Sequence, residues 1–134
     1  MSAAPITVGS CFKLSDPQTG QWSHPWIVIT SPDGLQRNAL CVNITDKTTI
    51  DDASCILGPG EHEMITKESA VAYCWAKVLP LANLEGISGA LMVKSFSLVP
   101  AEILERIQKG GLKSDFLTPR NRKLIEQELR KGGK

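Results

Sequence analysis

The sequence lacks the features that mark several large classes of protein. No apolar run approaches the roughly 20 residues that span a bilayer, so no membrane segment is expected. The Walker A pattern, G-x-G-x-x-G, H-E-x-x-H and G-x-S-x-G are absent, which leaves ATP hydrolysis, dinucleotide chemistry and α/β-hydrolase chemistry without support. The first residues carry neither the basic nor the apolar region of a signal peptide, so a cytoplasmic location is expected.

Metal-binding signatures are also missing. The chain has four cysteines but no C-x-x-C pair, which excludes a zinc knuckle and a thioredoxin-type motif. Cys11, Cys41 and Cys74 lie in apolar, strand-like runs, so buried free thiols in a reducing cytosol are expected. A Cys/His metal site built from distant residues is the alternative. Paired carboxylates in the loops lack regular ligand spacing, and no metal or other cofactor is expected.

The composition describes one globular domain. The chain has 134 residues, 42% of them apolar, and its 15 basic and 14 acidic side chains nearly cancel. A chain of this size buries about two-thirds of its unfolded surface, so it needs no disulfide or metal to fold. The charge is unevenly spread, because residues 109–134 hold 8 basic and 3 acidic side chains. Such a basic end is typical of a segment that meets nucleic acid or an acidic partner, and a solvated helix face is the alternative.

Short strands occupy the first half of the predicted structure. Residues 69–79 fit either a strand or a short helix, because the run is apolar and its length is compatible with both. Four further apolar runs, separated by Pro/Gly loops, predict strands over residues 8–14, 26–29, 40–44 and 54–57.

Helical signals are confined to the end of the chain. One helix is predicted from Pro100 to the pair Gly110-Gly111, and a second from a Thr118 cap to Gly132. Strands followed by helices indicate a mainly β fold with C-terminal helices. We expect a small, partly open β-barrel over residues 1–98 and a helical appendage with a basic tail over residues 99–134.

Two loop histidines are the first candidates for chemistry. His24 and His62 could supply a base for the 2′-hydroxyl proton of RNA and an acid for the leaving 5′-oxygen. Positioned proton transfer of this kind contributes about 10²–10⁴ in rate. Lys47 or Lys67 could offset the charge of the transition state, with Arg37 a weaker candidate. The alternative is that both histidines are ordinary surface loop residues.

A hydroxyl and three indole rings complete the candidate set. Thr45 ends the third predicted strand, where its hydroxyl could donate to a phosphate oxygen or make a local turn bond. Trp22 lies in a polar loop and could stack on a base. Trp26 and Trp75 lie in strand-like runs and are expected in the core.

Four blocks of the sequence, VGSCF at 8–12, HPWIVIT at 24–30, VNIT at 42–45 and ESAVAY at 68–73, form a recognisable pattern. They resemble the PemK/MazF-like toxins, the endoribonucleases of type II toxin-antitoxin systems. In that family a glycine-led strand precedes an Arg-Pro and a hydrophobic strand that ends in Ser or Thr. A further strand closes on Thr, and a Ser-x-Val block follows.

The resemblance implies an SH3-like barrel that pairs as a homodimer and cuts single-stranded RNA without a metal. An antitoxin protein would neutralise it by covering the RNA groove. Thr45 matches the closing threonine, whereas His24 stands where the family has arginine. Either the chemistry has shifted to His24 as acid or base, or the phosphate clamp is weakened and cleavage is lost. The expected catalytic residues are His24, Thr45, Lys47 and His62, and the expected RNA contacts are Trp22, Lys67 and Ser69.

A function from another class is a non-catalytic SH3-like module that binds RNA or protein through the same groove. The missing arginine favours this alternative. A structural or assembly protein of prophage type is a third possibility, and only the lack of clear chemistry supports it.

Overall fold

The computed structural model describes residues 6–16, 18–85 and 93–132. The strands are β1 Cys11–Leu14, β2 Trp26–Val28, β3 Asn38–Asp46, β4 Ile56–Leu57, β5 Ser69–Pro80 and β6 Val93–Phe96. The helices are α1 Leu81–Glu85, α2 Ala101–Lys113 and α3 Pro119–Gly132. This composition confirms the predicted mainly β fold with C-terminal helices.

The six strands form one antiparallel sheet that does not close on itself. Its order is β4-β5-β3-β2-β1-β6, so the third strand lies in the middle and the last strand covers the edge of the first. Neither β6 nor α1 was expected, because both are short and carry little apolar periodicity.

The central strand β3 is buried on both faces. Leu40, Val42 and Ile44 point into the larger core, which α2 and α3 share, whereas Ala39 and Cys41 point into a smaller core beside α1. Since successive side chains of a strand alternate between faces, burial on both sides produces a continuous apolar run. This explains why the strand was visible in the sequence.

The ambiguous segment at 69–79 is a strand, the long β5. Its pairing with β3 is regular at both ends and irregular in the middle, where Cys41 faces Lys77 but Asn43 faces Ala72. The extra residues form a bulge on β5. The bulge turns Trp75 to the surface, where it is 38% exposed, so the prediction that it belongs to the core was wrong.

The glycine pair in α2 permits close packing rather than ending the helix. The helix continues to Lys113, beyond the predicted end at Gly110-Gly111. An ideal Cβ on Gly110 would lie 2.5 Å from the Tyr73 hydroxyl oxygen, and one on Gly111 would lie 2.6 Å from Ile125. The helix therefore approaches β5 and α3 more closely than any side chain would allow.

Both long helices pack into the core of the sheet. Ile107 and Ile125 are fully buried and belong to the same cluster as Val42 and Val71. The residues on either side of the expected boundary at 98/99 thus share one core. Thr118 caps α3 as expected, since its hydroxyl accepts the Asn121 amide at 3.2 Å.

The cysteines are all free thiols. Cys11, Cys41 and Cys55 are buried, and burial raises the pKa of Cys11 and Cys41 to about 12. Cys74 is exposed, because the bulge of β5 also turns this residue outward, so the prediction of its burial was wrong.

Candidate functional site

An open groove of about 290 Å³ lies where β3 ends and β5 begins. Half of its polar lining residues are ones that the sequence had singled out. We call it the Thr45 groove and define it by Lys13, His24, Thr45, Met64, Lys67 and Ser69.

His24 is held at the mouth of the groove by its neighbours. It lies two residues before β2, and the Asn43 side-chain amide donates to the carbonyl of the intervening Pro25 at 3.2 Å, which fixes the chain at this point. The imidazole is exposed. The Trp75 ring stands beside it, with ring centroids 5.4 Å apart and planes tilted by 32°. The imidazole is therefore oriented by an aromatic surface and open to solvent.

Thr45 lines the floor of the groove from the end of β3. It pairs with Ala70 of β5 and is 4% exposed. Its hydroxyl has no hydrogen-bond partner among the residues that the structure describes. The local turn bond is made instead by Asp46, whose Oδ1 accepts the amide and the hydroxyl of Thr48, both at 2.9 Å. The Thr45 hydroxyl is thus free to donate to a ligand.

The charges at the groove are partly compensated. Lys67 contacts the Asp46 carboxylate at 2.8 Å. Hydrogen bonds from Lys67 and Thr48 lower the pKa of Asp46, so this carboxylate is ionised at neutral pH. Lys13 also lines the groove, with its Nζ 5.9 Å from the centroid of the Phe96 ring. Lys13 has no carboxylate partner among the described residues, so it carries the uncompensated positive charge of the site.

His62 lies outside the Thr45 groove and is almost buried, with 9% of its surface exposed. Its Nδ1 accepts the Met64 amide at 3.2 Å, which assigns the proton to Nε2, and Nε2 donates to the Ser97 carbonyl at 2.7 Å. Glu63 accepts the amide and the hydroxyl of Ser97, at 2.6 and 3.0 Å. These bonds hold the loop that carries Met64 into the groove, and they engage both ring nitrogens of His62.

Two other candidates also stand apart from the groove. Lys47 pairs with Glu68 at 2.9 Å and does not line the groove. Trp22 is 42% exposed and lines a separate depression beside Leu14 and Gln21. The predicted set therefore divides into two groups. The groove brings together His24, Thr45, Lys67 and Ser69, whereas Lys47, His62 and Trp22 lie elsewhere.

Sequence reasoning missed three residues of the site. Lys13 interrupts the apolar pattern of β1 and could have been found by that break. Met64 and Trp75 gave no usable signal, because one depends on a loop held by distant bonds and the other on a bulge in β5.

No family model matches the chain, and no curated protein is significantly similar to it. Across residues 6–16, 18–85 and 93–132, no group of three His, Cys, Asp or Glu side chains is placed to hold a metal ion. In the same part of the chain, no helix is long and apolar enough to cross a membrane.

Proposed function

We propose that this protein is an endoribonuclease of the PemK/MazF type, which cleaves single-stranded RNA without a metal and is neutralised by an antitoxin protein in the cytoplasm. The observation that carries the proposal is the presence of His24 and Thr45 in one solvent-open groove. They are the two positions at which the sequence blocks correspond to the key residues of that family.

The sheet is proposed to be a partly open SH3-like barrel. The bulge in β5 supports this, because it lies between two stretches over which this 12-residue strand pairs with β3. β1 in turn pairs with both β2 and β6. Bulges and long bent strands are the usual means by which small sheets curve into barrels.

The proposed reaction needs two proton transfers. The 2′-oxygen attacks the neighbouring phosphorus, the bond to the 5′-oxygen breaks, and a 2′,3′-cyclic phosphate and a 5′-hydroxyl result. His24 is the imidazole at the groove and carries one of the two protons, and water in the open groove carries the other. The free hydroxyl of Thr45 donates to a non-bridging phosphate oxygen and orients the phosphorus.

Charge stabilisation is assigned to Lys13 and Lys67 rather than to Lys47. Both lysines line the groove, whereas the ammonium of Lys47 contacts Glu68 outside it. Cations placed at the developing phosphorane charge lower the barrier without rearrangement of the site.

A protein partner has an exposed strand edge available beside the groove. β4 covers only Ser69 and Ala70 of β5, so among the described strands the later part of β5 pairs on one side alone. Trp75 and Val78 on this segment are 38% and 40% exposed. We propose that the antitoxin, or the second subunit of a homodimer, pairs with this edge.

The cleavage assay uses labelled single-stranded RNA in the presence of EDTA. We expect wild-type cleavage, a loss of at least about 10²-fold in His24→Ala, and a comparable loss in Thr45→Val, which keeps the side-chain shape. A substrate with a single 2′-deoxy nucleotide at the cleaved position should resist cleavage, since it lacks the attacking oxygen.

Lys47 and Lys67 provide a matched pair of control variants, because each is exposed and paired with one carboxylate. Lys67→Ala should slow cleavage and Lys47→Ala should not. Cleavage that persists in both His24→Ala and Thr45→Val would remove the proposed roles.

The second candidate function is a non-catalytic module that binds RNA or protein through the Thr45 groove. It is favoured by the ion pair between Lys67 and Asp46, which leaves less positive charge for a phosphate than an arginine clamp would supply. Salt-dependent RNA binding by wild type without any cleavage would select this candidate.

A further inference from the structure

Some basic side chains of residues 109–134 form ion pairs or hydrogen bonds within the protein, and others do not. Lys109 pairs with Glu105 at 3.5 Å, and Lys131 with Glu128 at 3.8 Å. Arg122 turns inward and donates to backbone carbonyls at the end of α2, at 2.9 and 3.4 Å. These three cations stabilise the helices themselves.

The free cations concentrate on the outer face of α3. Arg120, Lys123, Gln127 and Arg130 follow one another at intervals of three, four and three residues, which places them on one face of a helix. All four are exposed, and none of the three cations has an ion pair within the described residues. We call this row the α3 stripe.

The two acidic residues of α3, Glu126 and Glu128, form no ion pair with the stripe among the described residues. Glu128 is turned toward the sheet, where its carboxylate accepts the amide and the hydroxyl of Ser31, both at 2.7 Å. Glu126 follows Lys123 by three residues and precedes Arg130 by four, so it flanks the stripe on the same side of the helix. The stripe together with the flanking Glu126 therefore carries three positive charges and one negative charge, a net charge of +2.

We propose that the α3 stripe binds the phosphate backbone of RNA. The row is about 15 Å long at 1.5 Å per residue, so its cations can contact successive phosphates of one strand. It contains no aromatic or aliphatic side chain that could fill a pocket on a protein partner, and such anchors carry most protein–protein affinity. Regularly spaced cations without aromatic or aliphatic side chains between them are complementary to the regularly spaced phosphates of a nucleic acid strand.

None of the four stripe residues lines the Thr45 groove. RNA bound to the stripe therefore makes contacts that are separate from the groove. They are independent of base sequence and of the groove chemistry.

The test measures binding of the full chain to a fluorescent, 2′-O-methylated single-stranded RNA by anisotropy, between about 50 and 200 mM salt. The methyl groups block cleavage, so the result does not depend on whether the proposed nuclease activity exists. The triple variant Arg120→Gln/Lys123→Gln/Arg130→Gln loses three phosphate contacts. Each contact contributes about 0.7 to the steepness of log affinity against log salt concentration, so we expect the slope to be less steep by about 2.

The control variant is Lys77→Gln/Lys94→Gln/Lys109→Gln, which removes the same charge from exposed positions elsewhere. It should change the slope by less than half as much. An unchanged slope in the stripe variant, or equal changes in both variants, would overturn the proposal. Competition by polyglutamate as strong as that by RNA would overturn the assignment to RNA. Circular dichroism checks that both variants are folded.

Discussion

The two histidines of this chain have different neighbours and therefore different uses. His24 is exposed at the Thr45 groove beside Trp75, whereas His62 has both ring nitrogens bound. The sequence could not sort them, because each follows or precedes the same kind of loop signal. The partner that fixes His62 is Ser97, 35 positions further along the chain.

The hydrogen bond from the Met64 amide to His62 can be tested by the rate of hydrogen exchange at that one amide. His62→Gln retains a donor for the Ser97 carbonyl but loses the acceptor for the Met64 amide, and His62→Asn does the reverse. Loss of a hydrogen bond worth about 1 kcal/mol makes local opening about fivefold more frequent. We expect faster hydrogen exchange at Met64 in His62→Gln and near-normal exchange in His62→Asn.

The Ser97 amide is the internal control, since Glu63 rather than His62 accepts it. It should exchange at the wild-type rate in both variants. Equal acceleration at Met64 and Ser97 would show that the substitution loosens the whole loop and would refute the specific bond.

At the scale of elements, the close packing of α2 depends on Gly110 and Gly111, which have no side chains. The helix was predicted from its apolar spacing and from Pro100, which local sequence can reveal. The predicted end of the helix was wrong, because glycines also occur where a helix packs closely against another element. Here that element is β5, whose Tyr73 leaves no room for a side chain at Gly110. The bulge of β5 escaped prediction for a similar reason, since it exists only relative to β3.

Gly110→Ala should destabilise the protein although alanine favours helices. The new Cβ would meet the Tyr73 hydroxyl at 2.5 Å and Cys55 at 2.9 Å. Overpacking costs about 1–3 kcal/mol, which exceeds the gain of about 1 kcal/mol from replacing a helical glycine. We expect a lower urea midpoint.

Lys109→Ala, on the exposed side of the same helix, is the matched control and should leave the midpoint nearly unchanged. A double-mutant cycle with Tyr73→Phe should reveal coupling, because removal of the hydroxyl relieves the shortest contact. A more stable Gly110→Ala protein would contradict the close packing.

At the scale of the whole molecule, stability should be greatest near neutral pH. Hydrogen bonds and ion pairs lower the pKa of Asp46, Glu61 and Glu63 from ordinary values of 3.8 and 4.5. Below these values the unfolded chain binds more protons than the folded one, so stability falls as the pH drops. Burial raises the pKa of Cys11 and Cys41 from 9.0 to about 12, so stability also falls as the pH rises through that interval.

Urea midpoints measured from acid to alkaline pH test this profile. Glu63→Gln should flatten the acid limb, because it removes one carboxylate that binds Ser97. Cys41→Ala should flatten the alkaline limb. A midpoint that stays constant at acid pH would contradict the assigned carboxylate contacts.

Because the groove lies at the last residues of β3, the residues that stabilise the fold differ from those that would contact a ligand. The first part of this strand fills both cores, whereas Thr45 and the loop after it face the opening. Exchanges at the groove thus leave the apolar register of the sheet intact. A lineage built on this scaffold can diversify what it recognises by point substitutions, while the architecture is inherited unchanged.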